Sequence, residues 1–183
     1  MKVISGIYKG RTIKGYDMDG TRPTMDRVKE SLFATIQDEI KDSVVLDLFS
    51  GTGSLAIESL SQGAKTAYAI DKSKEAIKTI NENIKTIGVN NCKAIMADYK
   101  SAIISFKNQQ LKFDIVFLDP PYKTDYIEKS LNLIMENDIL KDTGLIVCET
   151  DDLDKIIYPV KSLKEVKSKK YGDIRVVILE KVW

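Results

Sequence analysis

From Val44 to the C-terminus, short apolar runs alternate with stretches whose apolar residues recur at helical spacing. The apolar runs are candidate strands, and they cover residues 44–49, 66–70, 92–97, 113–119, 144–149 and 175–182. Strands that alternate with helices build a parallel sheet, because each helix returns the chain to the edge where the next strand begins. The pattern therefore restricts this part of the chain to an α/β fold.

Two of the intervening helices are predicted with defined ends. Residues 54–62 are followed by Gly63, and residues 74–87 are followed by Gly88. Glycine is common just past a helix C-terminus, because it adopts the left-handed conformation without strain. The apolar residues of the second helix lie three or four apart, as one buried face requires: Ile77, Ile80, Ile84 and Ile87.

The two ends of the chain depart from this alternation. Residues 163–183 predict two antiparallel strands around a turn at 171–173, which would complete a seven-stranded, mainly parallel, Rossmann-like sheet. The first residues predict a hairpin that turns near Lys9 and Gly10, and residues 24–40 predict a helix with apolar residues four apart. We therefore expect an N-terminal extension over 1–43 and a main α/β domain over 44–183.

Composition excludes several classes of protein. With 43% hydrophobic and 30% charged residues, the chain has the composition of a folded globular protein. No apolar run approaches the roughly 20 residues that span a bilayer, and the N-terminus lacks the apolar core of a secretory signal, so we expect a cytoplasmic protein. The absence of histidine removes the commonest general base and metal ligand, so we expect a site without metal. The net charge of +1 means that any nucleic-acid surface must be local.

The first motif that carries chemistry is LDLFSGTGSLA, residues 46–56. Its Gly51 and Gly53 permit a tight turn between strand and helix, and a ligand can approach the backbone closely there. Asp71 follows about 20 residues later at the end of the next strand, where a carboxylate binds ribose hydroxyls. This pattern predicts a nucleoside site but leaves open whether the nucleoside is a nicotinamide dinucleotide or S-adenosylmethionine.

The second motif is FDIVFLDPPY, residues 113–122, an apolar strand that ends in Asp119, Pro120, Pro121 and Tyr122. Here the chain resembles the DPPY group of methyltransferases, which methylate exocyclic nitrogens of bases. An Asp119 oxygen and the Pro120 carbonyl could accept hydrogen bonds from the two N–H groups of such an amine and hold it in line with the methyl group. The Tyr122 ring offers a face on which the base can stack.

Further segments sharpen the resemblance. GIYKGRTI (6–13), RPTMDRVKESLF (22–33), LDLFSGTGSLAIESLSQGA (46–64) and KKYGD (169–173) are similar to the RsmD family of 16S ribosomal RNA guanine-N2 methyltransferases. The usual Asn of that family after the Leu-Phe pair is Ala34 here. The resemblance implies methyl transfer from S-adenosylmethionine to a guanine N2 of 16S rRNA, at guanine 966 in the usual numbering.

The resemblance also implies roles for individual residues. The methionine part of the cofactor would be surrounded by Asp47, Phe49, Ser50, Gly51, Thr52 and Gly53. Asp71 and Lys72 would lie at the ribose, and Asp98 and Tyr99 near the adenine. The candidates for RNA phosphate contact are Lys9, Arg11, Arg22 and Arg27, which belong to a locally basic N-terminal region. The extension over 1–43 would then bind RNA, and residues 44–183 would form the methyltransferase domain.

Rival functions remain at this stage. A DNA adenine-N6 methyltransferase could use the same tetrapeptide, although the chain has no large extra region for reading a duplex. A nicotinamide oxidoreductase fits the glycine turn but not the tetrapeptide, and a non-catalytic ribosome-assembly factor would not need either motif. The expected partner is 16S rRNA, free or within an assembling small subunit, and the protein is expected to be a monomer.

Overall fold

The computed structural model describes residues 1–15, 26–151 and 161–182. Its strands are β1 (Val44–Asp47), β2 (Thr66–Asp71), β3 (Cys92–Met96), β4 (Phe113–Leu118), β5 (Leu140–Thr150), β6 (Leu163–Tyr171) and β7 (Ile174–Lys181). Its helices are α1 (Asp26–Thr35), α2 (Gln37–Ile40), α3 (Ser54–Ser61), α4 (Lys74–Ile87), α5 (Tyr99–Asn108) and α6 (Tyr126–Glu136).

The seven strands form one sheet in the order β3-β2-β1-β4-β5-β7-β6. Strands β1 to β5 pair in parallel, and β7 pairs antiparallel with both β5 and β6. This confirms the predicted α/β sheet with its antiparallel C-terminal hairpin. The strand order reverses between the neighbours β1 and β4, and in open α/β sheets the crevice at such a reversal is where ligands bind.

Helices cover both faces of the sheet. One hydrophobic cluster packs α1, α3 and α4 against one face, and a second packs α5 and α6 against the other. Alternate residues of a strand point to opposite faces, so Val45 belongs to the first cluster and Leu46 to the second. The central strands β1, β4 and β5 are therefore largely buried on both sides, as their nearly continuous apolar sequences predict, whereas the edge strands β3 and β6 are largely exposed.

The N-terminal region differs from its prediction in detail. The helix expected over 24–40 is two helices within the described residues, because the chain breaks its helical conformation at Ile36. The expected hairpin closes through a single antiparallel bridge between Lys2 and Thr12, and a series of turns replaces regular strands. Val3, Tyr8 and Ile13 are buried in the same cluster as α3 and α4, and this packing holds the irregular segment in place.

The two edges of the sheet have different surroundings. We call the edge at which β1, β2, β4 and β5 end the carboxyl edge, and α3 and α4 both begin there and run back to the opposite edge. The turns at residues 5–11 lie at that opposite edge, where the Ser61 carbonyl accepts a hydrogen bond from the backbone N–H of Ile7 at 2.9 Å. In the part of the chain that the structure describes, no helix is both long and apolar enough to cross a membrane.

Candidate active site

The glycine turn after β1 is held against the end of β2. Gly51 and Gly53 have φ values of 58° and 82°, in the left-handed region that favours glycine. A Cβ atom on Gly53 would lie only 3.3 Å from the Ile80 side chain of α4. Because glycine lacks that atom, α4 can pack closely against the turn. The Ser50 N–H donates to the Ile70 carbonyl at 2.8 Å, which fixes the turn at the carboxyl edge.

Asp71 organises the backbone beside this turn. Its two carboxylate oxygens accept hydrogen bonds from the backbone N–H groups of Gly51 and Ser73, each at 2.9 Å. The side chain is half-buried, and the adjacent Lys72 is exposed. Asp71 therefore joins the ends of β1 and β2, and each oxygen keeps a further acceptor position for a ligand hydroxyl.

Asp47, the last residue of β1, is an acid buried beneath the turn. The Ser50 hydroxyl donates to its Oδ2 atom at 2.8 Å, whereas its Oδ1 atom is buried without a hydrogen-bond partner. Burial raises the pKa of Asp47 to about 7, the nearby charge of Asp71 adds to this effect, and the Ser50 hydrogen bond opposes it. A cation placed against this carboxyl would favour its ionised form.

Three aromatic rings meet next to the glycine turn. Phe49 lies 5.5 Å from Tyr99 and 6.0 Å from Tyr126 between ring centroids, and it is nearly parallel to Tyr126. The Lys72 Nζ atom lies 6.0 Å from the Tyr126 ring centroid. Sequence reasoning selected Phe49 and Tyr99 but missed Tyr126. Its position four residues after Tyr122, at the start of a helix, is the only signal that could have singled it out.

Asp98 also has a structural role, which was not predicted from the sequence. It is the N-cap of α5, where its Oδ1 atom accepts from the backbone N–H groups of Lys100 at 3.0 Å and Ser101 at 3.1 Å. Its Oδ2 atom accepts from the Ser101 hydroxyl at 2.7 Å. The backbone hydrogen bond from Ser101, followed by that from its hydroxyl, lowers the pKa of Asp98. The cap fixes the start of the helix that carries Tyr99.

The DPPY tetrapeptide follows β4, the strand next to β1. Asp119 and Tyr122 are half-buried, and Pro120 is buried. The Thr124 hydroxyl donates to the Pro121 carbonyl at 2.8 Å, whereas the Pro120 carbonyl accepts no hydrogen bond from the residues that the structure describes. Of the two proline carbonyls, that of Pro120 is therefore the better placed to accept from a ligand.

A cleft of about 280 Å³ lies beside the tetrapeptide. Its walls are formed by residues 120–124 together with Ile127, Glu149, Thr150 and Asp151. Asp119 lies beside this cleft rather than in its wall. The contribution of Glu149, Thr150 and Asp151 was missed from the sequence, because they continue an apolar strand and no motif marks them. Among the residues described here, no group of three or more Cys, Asp or Glu side chains could hold a metal ion.

The predicted basic residues do not gather at one place. Arg27 is exposed in the first turn of α1, the helix whose Lys29 contacts Ser54 at the start of α3. Lys9 is exposed at the opposite edge of the sheet, and Arg11 donates there to the Ile87 carbonyl at the C-terminus of α4. Arg22 lies outside the described residues. Of this set, Lys9 and Arg11 therefore lie at the opposite edge, whereas Arg27 belongs to the helix that contacts the start of α3 through Lys29.

Residues 1–180 match the family model described as "Conserved hypothetical protein 95". A Haemophilus influenzae protein named ribosomal RNA small subunit methyltransferase D is 34% identical over 160 residues, which cover 87% of this chain and 83% of that protein. The chain belongs to the RsmD family.

Two further relatives match almost the full length of this chain. The candidate rRNA methyltransferase YlbH of Bacillus subtilis is 36% identical, with 99% of each chain covered. The solved structure of the candidate methyltransferase yhhF of Escherichia coli is 28% identical to this chain and superposes on it with a TM-score of 0.84. The superposition covers 99% of this chain and 97% of that structure. Both the N-terminal region and the methyltransferase fold are therefore shared with the family.

Proposed function

We propose that this protein transfers a methyl group from S-adenosylmethionine to the exocyclic N2 of a guanine in small-subunit ribosomal RNA, with guanine 966 as the target. One observation carries the proposal. The glycine turn and the DPPY tetrapeptide follow the adjacent strands β1 and β4, at the point where the strand order reverses. The proposed nucleoside site and the proposed amine-binding site would thus be neighbours in a member of an rRNA methyltransferase family.

The residues at the turn suit S-adenosylmethionine, which supplies an electrophilic methyl group on a positively charged sulfonium. Asp47 offers a buried carboxyl with one unsatisfied oxygen, and such an acid suits a cationic ligand. Asp71 and Lys72 would hold the ribose. Tyr99 presents a ring for the adenine, and Phe49, Ser50, Gly51, Thr52 and Gly53 would line the methionine part.

The tetrapeptide would hold the acceptor amine. The lone pair of a guanine N2 is delocalised into the ring, so the nitrogen is a poor nucleophile until its geometry becomes pyramidal. An Asp119 oxygen and the Pro120 carbonyl would each accept one N–H, which orients the lone pair and stabilises the positive charge that develops on the nitrogen. The Tyr122 ring, in the wall of the adjoining cleft, would stack on the base.

The RNA would contact the carboxyl edge through α1 and β6. Arg27 lies one helical turn before Ser31, whose hydroxyl accepts hydrogen bonds from Lys169 at 3.1 Å and from Tyr171 at 2.5 Å. Lys167 and Lys169 pair with Ile178 and Val176, so they share the face of the sheet that α1 covers. Exposed cations on neighbouring elements can neutralise successive phosphates of 16S rRNA, free or within an assembling subunit.

The test is methyl transfer from tritiated S-adenosylmethionine to naked 16S rRNA, assembled small subunits and double-stranded DNA, followed by digestion to nucleosides. We expect N2-methylguanosine from the ribosomal substrates. Asp119→Ala should lower turnover by about 10² or more, because it removes an acceptor that acts mainly in the transition state.

Asp125→Asn is the matched control, because Asp125 is an exposed carboxylate nearby whose side chain pairs with Lys129 at 2.7 Å. It should keep near wild-type turnover. N6-methyladenine in the DNA would establish the rival methyltransferase, and RNA binding without any transfer would establish an assembly factor. Normal turnover by Asp119→Ala would show that another group binds the amine.

A further inference from the structure

Asn83 of α4 connects the N-terminal segment to the glycine turn. Its Nδ2 atom donates to the carbonyls of Lys14 at 2.9 Å and Thr52 at 3.0 Å. Its Oδ1 atom accepts from the Lys14 N–H at 2.8 Å. The side chain is 2% exposed, so these bonds form away from competing water. One buried amide therefore holds Thr52, between the two glycines of the turn, and the end of the segment 1–14.

Lys29 of α1 makes a second connection to the same turn. Its fully buried Nζ atom donates to the Lys2 carbonyl at 2.8 Å and to the Ser54 hydroxyl at 3.1 Å, and it lies 3.8 Å from Glu58 of α3. Glu58 in turn accepts from the Ile4 N–H at 2.8 Å. A buried charge is retained only when it is paired and hydrogen-bonded, and here the partners come from the N-terminal segment and from α3.

We propose that Asn83 and Lys29 are positioning residues for the cofactor, and that segment 1–14 is part of the cofactor-binding structure as well as of the RNA-binding extension. The hydrogen bonds of Asn83 and those of Lys29 both reach residues 52–54, the part of the turn that follows Gly51. They approach it from two helices, and each includes a backbone carbonyl of the N-terminal segment. This inference rests on the proposed function, because it concerns the site assigned to S-adenosylmethionine.

Asn83 and Lys29 can affect cofactor binding because the glycines give the turn conformational freedom. A turn with two glycines in the left-handed region has many alternative backbone conformations, so its binding conformation costs entropy unless neighbouring groups hold it. The Thr52 carbonyl and the Ser54 hydroxyl are fixed by side chains that do not line the site. Loss of such a restraint should weaken cofactor binding, because the ligand must then order the turn itself.

The test uses the full-length protein and S-adenosylhomocysteine, the demethylated product, in calorimetric titration. Asn83→Leu removes all three hydrogen bonds at nearly constant volume, and we expect it to weaken binding at least tenfold. Asn83→Asp keeps the acceptor for the Lys14 N–H but places a carboxyl oxygen against the carbonyls of Lys14 and Thr52, and we expect a loss of similar size. This isosteric variant provides a second test if Asn83→Leu does not fold.

Glu82→Gln is the matched control, because it breaks the exposed Lys14–Glu82 ion pair at the adjacent position without a contact to Thr52. Its affinity should remain within about twofold of wild type. In steady-state assays, the Asn83 variants should raise KM for S-adenosylmethionine while KM for RNA and kcat change little, which a general loss of stability would not produce. Wild-type affinity in a folded Asn83→Asp protein overturns the inference alone, whereas no binding by the wild-type protein overturns the proposed function as well.

Discussion

At the scale of single residues, Asp47 has the most unusual environment in the site. Its carboxyl is fully buried, and its pKa is raised from the ordinary value for aspartate to about 7, chiefly by burial. Between these two values the folded protein binds the Asp47 proton more tightly than the unfolded chain does. The free energy of unfolding contributed by Asp47 should therefore fall as pH rises from about 4 to about 7.

Asp47→Asn should remove this dependence while it keeps an acceptor for the Ser50 hydroxyl. Relative to wild type, the variant should gain up to about 4 kcal/mol of stability between about pH 4 and pH 8, because each tenfold difference in proton affinity is worth about 1.4 kcal/mol. Urea unfolding of both proteins at several pH values measures this difference, and all other titrating groups cancel in the comparison. Parallel curves for the two proteins would show that Asp47 ionises normally in the folded state.

At the scale of elements, α5 shows how one acid can serve a helix and a ligand. Asp98 caps the helix with backbone and side-chain hydrogen bonds, and the resemblance to the family also assigns it to the adenine. Asp98→Ala should destabilise the protein by about 1 kcal/mol, because the first N–H groups of α5 lose their acceptor. Asp98→Asn should restore most of that stability in thermal unfolding, because asparagine is as good an N-cap.

The same pair of variants separates the two roles. If Asp98 also binds the cofactor through its charge, Asp98→Asn should remain stable yet bind S-adenosylhomocysteine more weakly. Equal affinity for wild type and Asp98→Asn would restrict Asp98 to the helix cap. Because its folded pKa is lowered, the charge-dependent part of the cap should be present above the unfolded pKa and lost as pH falls through the folded pKa.

At the scale of the whole molecule, the two edges of the sheet should differ in their contribution to RNA binding. Arg27→Ala and Lys169→Ala should each weaken RNA binding and make the dependence of log K on log salt shallower by roughly one unit. Lys9→Ala removes an exposed cation from the same N-terminal region, but at the edge far from the tetrapeptide. It should leave affinity and salt slope near wild type in filter-binding or fluorescence titrations. The opposite ranking would mean that the RNA wraps around the far edge.

Short-range sequence features determined most of the architecture. The spacing of apolar residues was enough to predict the strands and α4, because the buried residues of a strand and of a helix recur at different intervals. The strand pattern was also enough to place the glycine turn and the DPPY tetrapeptide at one edge, because parallel strands all end on the same side. Family resemblance then supplied the identity of the nucleoside, which the glycine pattern by itself left open.

Only the tertiary structure decided which distant residues support the site. Asn83, Lys29 and Glu58 look like ordinary polar residues of amphipathic helices, and their burial depends on where segment 1–14 packs. Tyr126 joins Phe49 and Tyr99 only because α6 begins beside the glycine turn. Lys9 and Arg11 share a basic region with Arg27, but they lie at the opposite edge of the sheet from the start of α3, which α1 contacts through Lys29. Sequence patterns record local backbone preference and burial, whereas contacts between residues far apart in the chain depend on how all the elements pack together.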